Sequence, residues 1–138
     1  MKIYFSSLLQ KNFPVSLSHL VKLELANNRL RSLPENFGLL VNLRHLDLYK
    51  NELTTLPLSF GSLRSLRWLD LNSNPLVPKM AQVAGPCANT EQCQRAAKNV
   101  VSFMSSMQQL VEEEKKKRHQ QRIEQEGQSQ RDAFQHCV

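Results

Sequence analysis

At 138 residues the chain has room for one domain and a tail, and 41% hydrophobic with 22% charged residues is a soluble, core-forming composition rather than a disordered one. The net charge is +6, and residues 1–86 carry five of it, with ten basic against five acidic side chains. Such an excess suits polyanions or acidic proteins as partners and equally keeps a protein dissolved, while four scattered glycines exclude a phosphate-cradling loop.

Residues 1–19 are irregular. Met1 to Leu9 carries one lysine ahead of mostly apolar residues but no small-residue cleavage site, so it is not read as a signal peptide. Leu9, Phe13 and Leu17 match Leu56, Phe60 and Leu63 further on, apart from one extra residue of spacing, and make this stretch a degenerate half-repeat. Ile3, Tyr4 and Phe5 are the residues available to cap it.

Residues 20–76 repeat. The form LxxLxLxxNxL occurs at Leu20, Leu23, Leu25, Asn28 and Leu30, then at Leu43, Leu46, Leu48, Asn51 and Leu53. It returns at Leu66, Leu69, Leu71, Asn74 and Leu76, each copy 23 residues from the last. That period and pattern are those of a leucine-rich repeat. In each copy LxLxx alternates with period two and predicts a short strand with its leucines inward. Leu33-Pro34 and Leu56-Pro57 end one side, and Phe37, Leu40, Phe60 and Leu63 fill the outer layer. Asn28, Asn51 and Asn74 are expected to satisfy turn backbone groups through buried amides, a structural role rather than a catalytic one.

Residues 77–111 read as a helical C-terminal cap. Met80 and Val83 give a short helix an apolar face, and Gly85-Pro86 ends it. A second helix begins near Thr90 as N-cap. Cys93, Ala96, Ala97, Val100, Phe103, Met104, Met107, Leu110 and Val111 recur at helical spacing to cover the end of the last repeat. Residues 112–138 form a charged helical tail in which Glu112–Lys116, Glu113–Lys117 and Glu114–Arg118 are i,i+4 pairs, with fraying expected after Gly127. The uncharged run from Asn99 to Val111 is too short and too polar for a membrane span. The architecture expected is therefore α/β, a leucine-rich repeat solenoid with short parallel strands and a helical C-terminal cap.

Cys87, Cys93 and Cys137 are too few for a disulfide framework and match no zinc spacing, which favours a reducing compartment. His19, His45, His119 and His136 form no metal-ligand pair, so neither metal nor cofactor nor small-molecule substrate is expected, and no catalytic constellation stands out.

Binding is the better use of this surface. Between the inward leucines, Lys22, Glu24 and Ala26, then His45, Asp47 and Tyr49, then Trp68, Asp70 and Asn72 line a concave sheet face. With strands about 4.8 Å apart, Lys22, His45 and Trp68 form one row and Glu24, Asp47 and Asp70 an acidic row beside it. Trp68 is either an interface anchor or a ring lying flat on its neighbours. Arg44 and Arg67 precede the strands, Arg29 and Arg31 follow one, and together they are read as a basic rim for phosphates or acidic side chains.

The repeats with LPxxFGxLxxL resemble the Ras-suppressor-like intracellular class. With Asn74-Pro75-Leu76, Val83-Ala84-Gly85, Cys87 and Gln92-Cys93 behind them, residues 8–118 resemble the leucine-rich repeat-containing protein fifty-nine family. That resemblance implies a non-catalytic ribosome-binding protein on the cytosolic face of the endoplasmic reticulum or at the nuclear envelope, with a part in nuclear import of acidic fibroblast growth factor. The chain departs from the family at both ends, lacking the first repeat and the membrane span. The alternative is a cytosolic protein–protein adaptor using the sheet face.

Overall fold

A computed structural model of the chain describes residues 17–136. The half-repeat positions Leu9 and Phe13 and the cap residues Ile3, Tyr4 and Phe5 lie outside the described residues. The described strands are β1 (Lys22–Glu24), β2 (His45–Asp47) and β3 (Trp68–Asp70), paired in parallel in the order β1-β2-β3. Register is set by the repeat: Lys22 faces His45 and Trp68, Leu23 faces Leu46 and Leu69, and Glu24 faces Asp47 and Asp70. Each three-residue strand buries only its central leucine, because alternate side chains point to opposite faces.

Pairing continues past the strands, with Leu25 N donating to Asp47 O at 2.8 Å and Leu48 N to Asp70 O at 2.9 Å. The chain then turns out of the sheet through a left-handed residue in each repeat, Asn27, Lys50 and Ser73, at φ 60°, 56° and 59°, and the first repeat adds Arg29 at φ 54°. Within that turn Asn51 does the work the sequence assigns it. Its Oδ1 accepts from Asn28 N at 3.0 Å and Leu30 N at 3.1 Å, while Nδ2 donates to Leu25 O at 3.0 Å and Leu48 O at 2.9 Å. Asn74 repeats the scheme on Leu53 N, Leu48 O and Leu71 O. The expectation of three buried amides needs correction, since Asn51 is buried, Asn74 half-buried and Asn28 exposed. Asn51 alone has both other turns stacked against it.

The outer side of the repeats is made of 3-10 turns at Phe37–Leu39 and Leu58–Ser62. Each starts on a proline carbonyl, with Phe37 N donating to Pro34 O at 3.0 Å and Phe60 N to Pro57 O at 2.9 Å. Phe37 and Phe60 are fully buried and stack with ring centres 5.9 Å apart. Gly38 lets the two turns meet: its N–H reaches Ser59 Oγ at 2.9 Å, and a Cβ there would overlap the Ser59 backbone carbonyl. Leucines from strands, turns and outer layer close into one core, each worth about 1.5–3 kcal/mol when fully buried.

Helix α1 (Pro78–Ala84) begins on a proline and ends where Gly85, at φ 64°, donates its N–H to Ala81 O at 3.0 Å. Helix α2 (Thr90–His136) is capped by Asn89 rather than Thr90, which is its first helical residue. Asn89 Oδ1 accepts from Gln92 N at 2.9 Å and Gln92 Oε1 accepts from Ala88 N at 2.7 Å, a reciprocal cap for which Asn is the stronger residue. Cys93, Ala96, Ala97, Val100 and Met104 are buried, and the last three share the core of Leu69 and Leu71. The cover stops there, because Leu110 is 59% exposed and Val111 is only half-buried.

Two compact units result, Met1–Met107 and Gln108–Val138, the second continuing α2. The expected fraying after Gly127 does not occur. One interior glycine costs about 1 kcal/mol against alanine, and side-chain bonds from Gln128 to Asp132 and from Arg131 to Gln128 follow it directly. Of the three expected ion pairs in the tail, Glu114–Arg118 closes, at 3.4 Å, among the described residues.

Candidate functional site on the exposed sheet face

Inward leucines leave the intervening side chains on one outward face, and the observed register puts them in the two rows expected. In the first row the imidazole of His45 and the indole of Trp68 are stacked, with centres 4.0 Å apart and planes 3° from parallel. Trp68 therefore lies flat on its neighbour, and the pair makes a face-to-face aromatic stack in which each ring covers one face of the other, both residues half-buried. Burial is the main cause of a His45 pKa below the ordinary imidazole range, and the Lys22 ammonium adds to it against the pull of Asp47 and Glu24.

The acidic row is graded. Glu24 is hydrogen-bonded and ion-paired to Lys22 at 3.1 Å, which lowers its carboxyl pKa. Asp47 Oδ1 accepts from Tyr49 N at 3.0 Å and Asp70 Oδ1 from Asn72 N at 2.9 Å, so both carboxylates are held by their own turns. Burial pushes the Asp70 carboxyl up, and the charge of Asp47 reinforces that against the Asn72 N–H. Tyr49 stands exposed beside the row. Asn72 is spent differently from the expectation of a contact residue: its Nδ2 donates to Cys87 O at 2.8 Å and ties the last strand to the cap loop.

The four arginines do not form one rim. Arg44 and Arg67 sit at the N-terminal ends of β2 and β3, where Arg44 N donates to Val21 O and Arg67 N to Arg44 O, both at 2.8 Å. Arg29 and Arg31 lie past the opposite end of β1, and Arg31 is paired with Glu52 at 3.3 Å. Residues before and after a strand leave the sheet at opposite edges, a separation that a list of charges does not show.

Comparison with protein families matches residues 9–76 to the leucine rich repeat model. The chain carries leucine-rich repeats. Comparison with curated proteins gives no match. The parallel sheet and helical C-terminal side fit an α/β fold of leucine-rich-repeat type. Such repeats are typically protein-binding modules rather than catalysts, using the face their strands present. Among the described residues no helix is long and apolar enough to cross a membrane.

Sequence spacing missed one cluster. Cys87 and Cys93 are joined as a disulfide, with Cα atoms 4.9 Å apart, and Asp70 lies beside them. This corrects the reading of three cysteines as too few to be joined, and the reducing compartment inferred from their number loses its footing. The pair meets because the loop after α1 folds back over β3, held by Asn72, before Asn89 starts α2. The one sequence signal was Cys93 on the inward stripe of α2, which left its thiol facing the repeats.

Proposed function

We propose that the repeats form a protein-recognition module whose contact surface is the His45–Trp68 stack with the Asp47 and Asp70 carboxylates beside it. The observation that carries this is the stack itself. Two rings already fixed against each other lose little side-chain freedom on binding, and an aromatic stack beside carboxylates suits a segment presenting an arginine or a lysine next to an apolar side chain. Lys22 is paired with Glu24, so the net charge of this face toward a partner is set by Asp47 and Asp70.

Selection of a displayed peptide library on the immobilised chain tests it. Enrichment of basic–apolar segments is expected, with roughly tenfold or greater weakening by Trp68→Ala, the size of an interface anchor. Enrichment of acidic segments, or binding indifferent to Trp68, would overturn it.

A narrower reading, ribosome association at the cytosolic face of the endoplasmic reticulum or nuclear envelope, is supported by the family resemblance and by exposed Arg44 and Arg67 on one sheet edge. Import of acidic fibroblast growth factor is supported by the resemblance alone. Co-sedimentation with ribosomes separates the two surfaces. Binding through the arginine edge falls steeply with salt and on reversing Arg44 and Arg67 to glutamate, whereas binding through the aromatic stack falls on Trp68→Ala at either salt.

A further inference from the structure

We propose that Cys87, Cys93 and Asp70 form a thiol-gated site for a soft divalent ion of the zinc class, closed while the disulfide is intact. Their donor atoms, two sulfurs and a carboxylate oxygen, all lie within 4.8 Å of one another. Ligands on a tetrahedral zinc, with Zn–S near 2.3 Å and Zn–O near 2.0–2.2 Å, stand about 3.4–3.8 Å apart. With the cysteine Cα atoms 4.9 Å apart, side-chain rotation alone opens the sulfurs from a bond to that spacing.

The supporting groups are already in place around the donors. Asn72 uses its N–H on Asp70 Oδ1 and its Nδ2 on the Cys87 carbonyl, so one residue fixes both a ligand and the backbone of a second. Cys93 is buried in the first turn of α2, where the positive end of the helix favours a thiolate. Two thiolates select a soft ion over calcium or magnesium, and three protein ligands leave one coordination position open.

Opening takes two electrons and two protons. A dithiol closes to its own disulfide, the Cys87–Cys93 bond breaks, and each sulfur gains a proton. Both protons leave again when the ion binds. The site thus exchanges a covalent link between the cap loop and α2 for a metal link between those elements and β3.

The test uses the full chain carrying Cys137→Ser, so that the two cysteines in question are the thiols present. Cobalt(II) is the probe. After reduction with a trialkylphosphine, which becomes its oxide by taking oxygen from water, one equivalent is expected to give sulfur-to-cobalt charge-transfer and tetrahedral ligand-field bands. Zinc should abolish them. The same protein with its disulfide intact should give none, and Asp70→Ala should weaken binding by roughly tenfold or more. The proposal is overturned by a reduced chain without bands, whether folded or unfolded by circular dichroism, by bands that survive Cys87→Ser, or by Asp70→Ala binding as tightly as the parent. Asp70 also belongs to the recognition face, but the cobalt spectra need no protein partner, so either proposal can fail alone.

Discussion

Asn51 shows how much a single side chain can hold in a structure with such short strands. Its amide serves two N–H groups and two carbonyls at a turn where the sheet ladder has run out. Asn51→Ala leaves these buried groups unpaired, each worth about 1–3 kcal/mol, so a loss of about 3 kcal/mol is expected after partial rescue by water. Urea titration measures it, and Asn28→Ala, at an exposed position, serves as the smaller comparison. His45 makes the second residue-scale case. Its folded pKa lies below the ordinary value of about 6.5. The unfolded chain therefore binds the proton more readily, and stability from this group is full above that value and falls as pH drops through it toward the folded pKa. An NMR titration should place His45 below the unfolded reference, and Trp68→Ala should move it back upward by uncovering the ring face on which the indole is stacked. A His45 that titrates at the ordinary value in the intact protein would contradict this.

At the scale of elements, the repeat is a compromise between two stacking distances. Strands meet through backbone hydrogen bonds, while the opposite side meets through 3-10 turns whose contact depends on Gly38. Gly38→Ala drives a methyl group into the backbone of the next turn, which cannot swing aside as a side chain could. A destabilisation of about 1–3 kcal/mol is expected, seen as a lower thermal midpoint with the Phe37–Phe60 stack disturbed. Helix α2 illustrates the reverse case, where a local rule is overruled. Gly127 lies in its interior because the preceding turns are already formed and elongation needs only one bond per residue.

Across the whole molecule, core and charge are divided between the two units. Among the described residues none beyond Met107 is buried, so the core belongs to the first unit. Ending the chain after Met107 is expected to leave the thermal midpoint within the roughly 4–8 °C that 1 kcal/mol is worth in a domain of this size. Helical circular dichroism should fall with the removed residues. A chain that no longer folds would show instead that the tail contributes to the core.

The sequence by itself determined the repeat, the strand positions, the inward leucines, the two outward rows and both helices. These follow from periods of two, of helical turns and of 23 residues, each of which is local or repeats identically. It also named the residues of the exposed face, since register between identical repeats admits one alignment. Tertiary structure decided what those residues do to one another: that Trp68 lies on His45, that Asn72 braces the cap loop, and that four arginines split between two edges. It alone brought Cys87 to Cys93 and Asp70, because that meeting depends on how the loop after α1 turns back over β3. Periodicity says which way a side chain points. Only the closed chain says what it meets there.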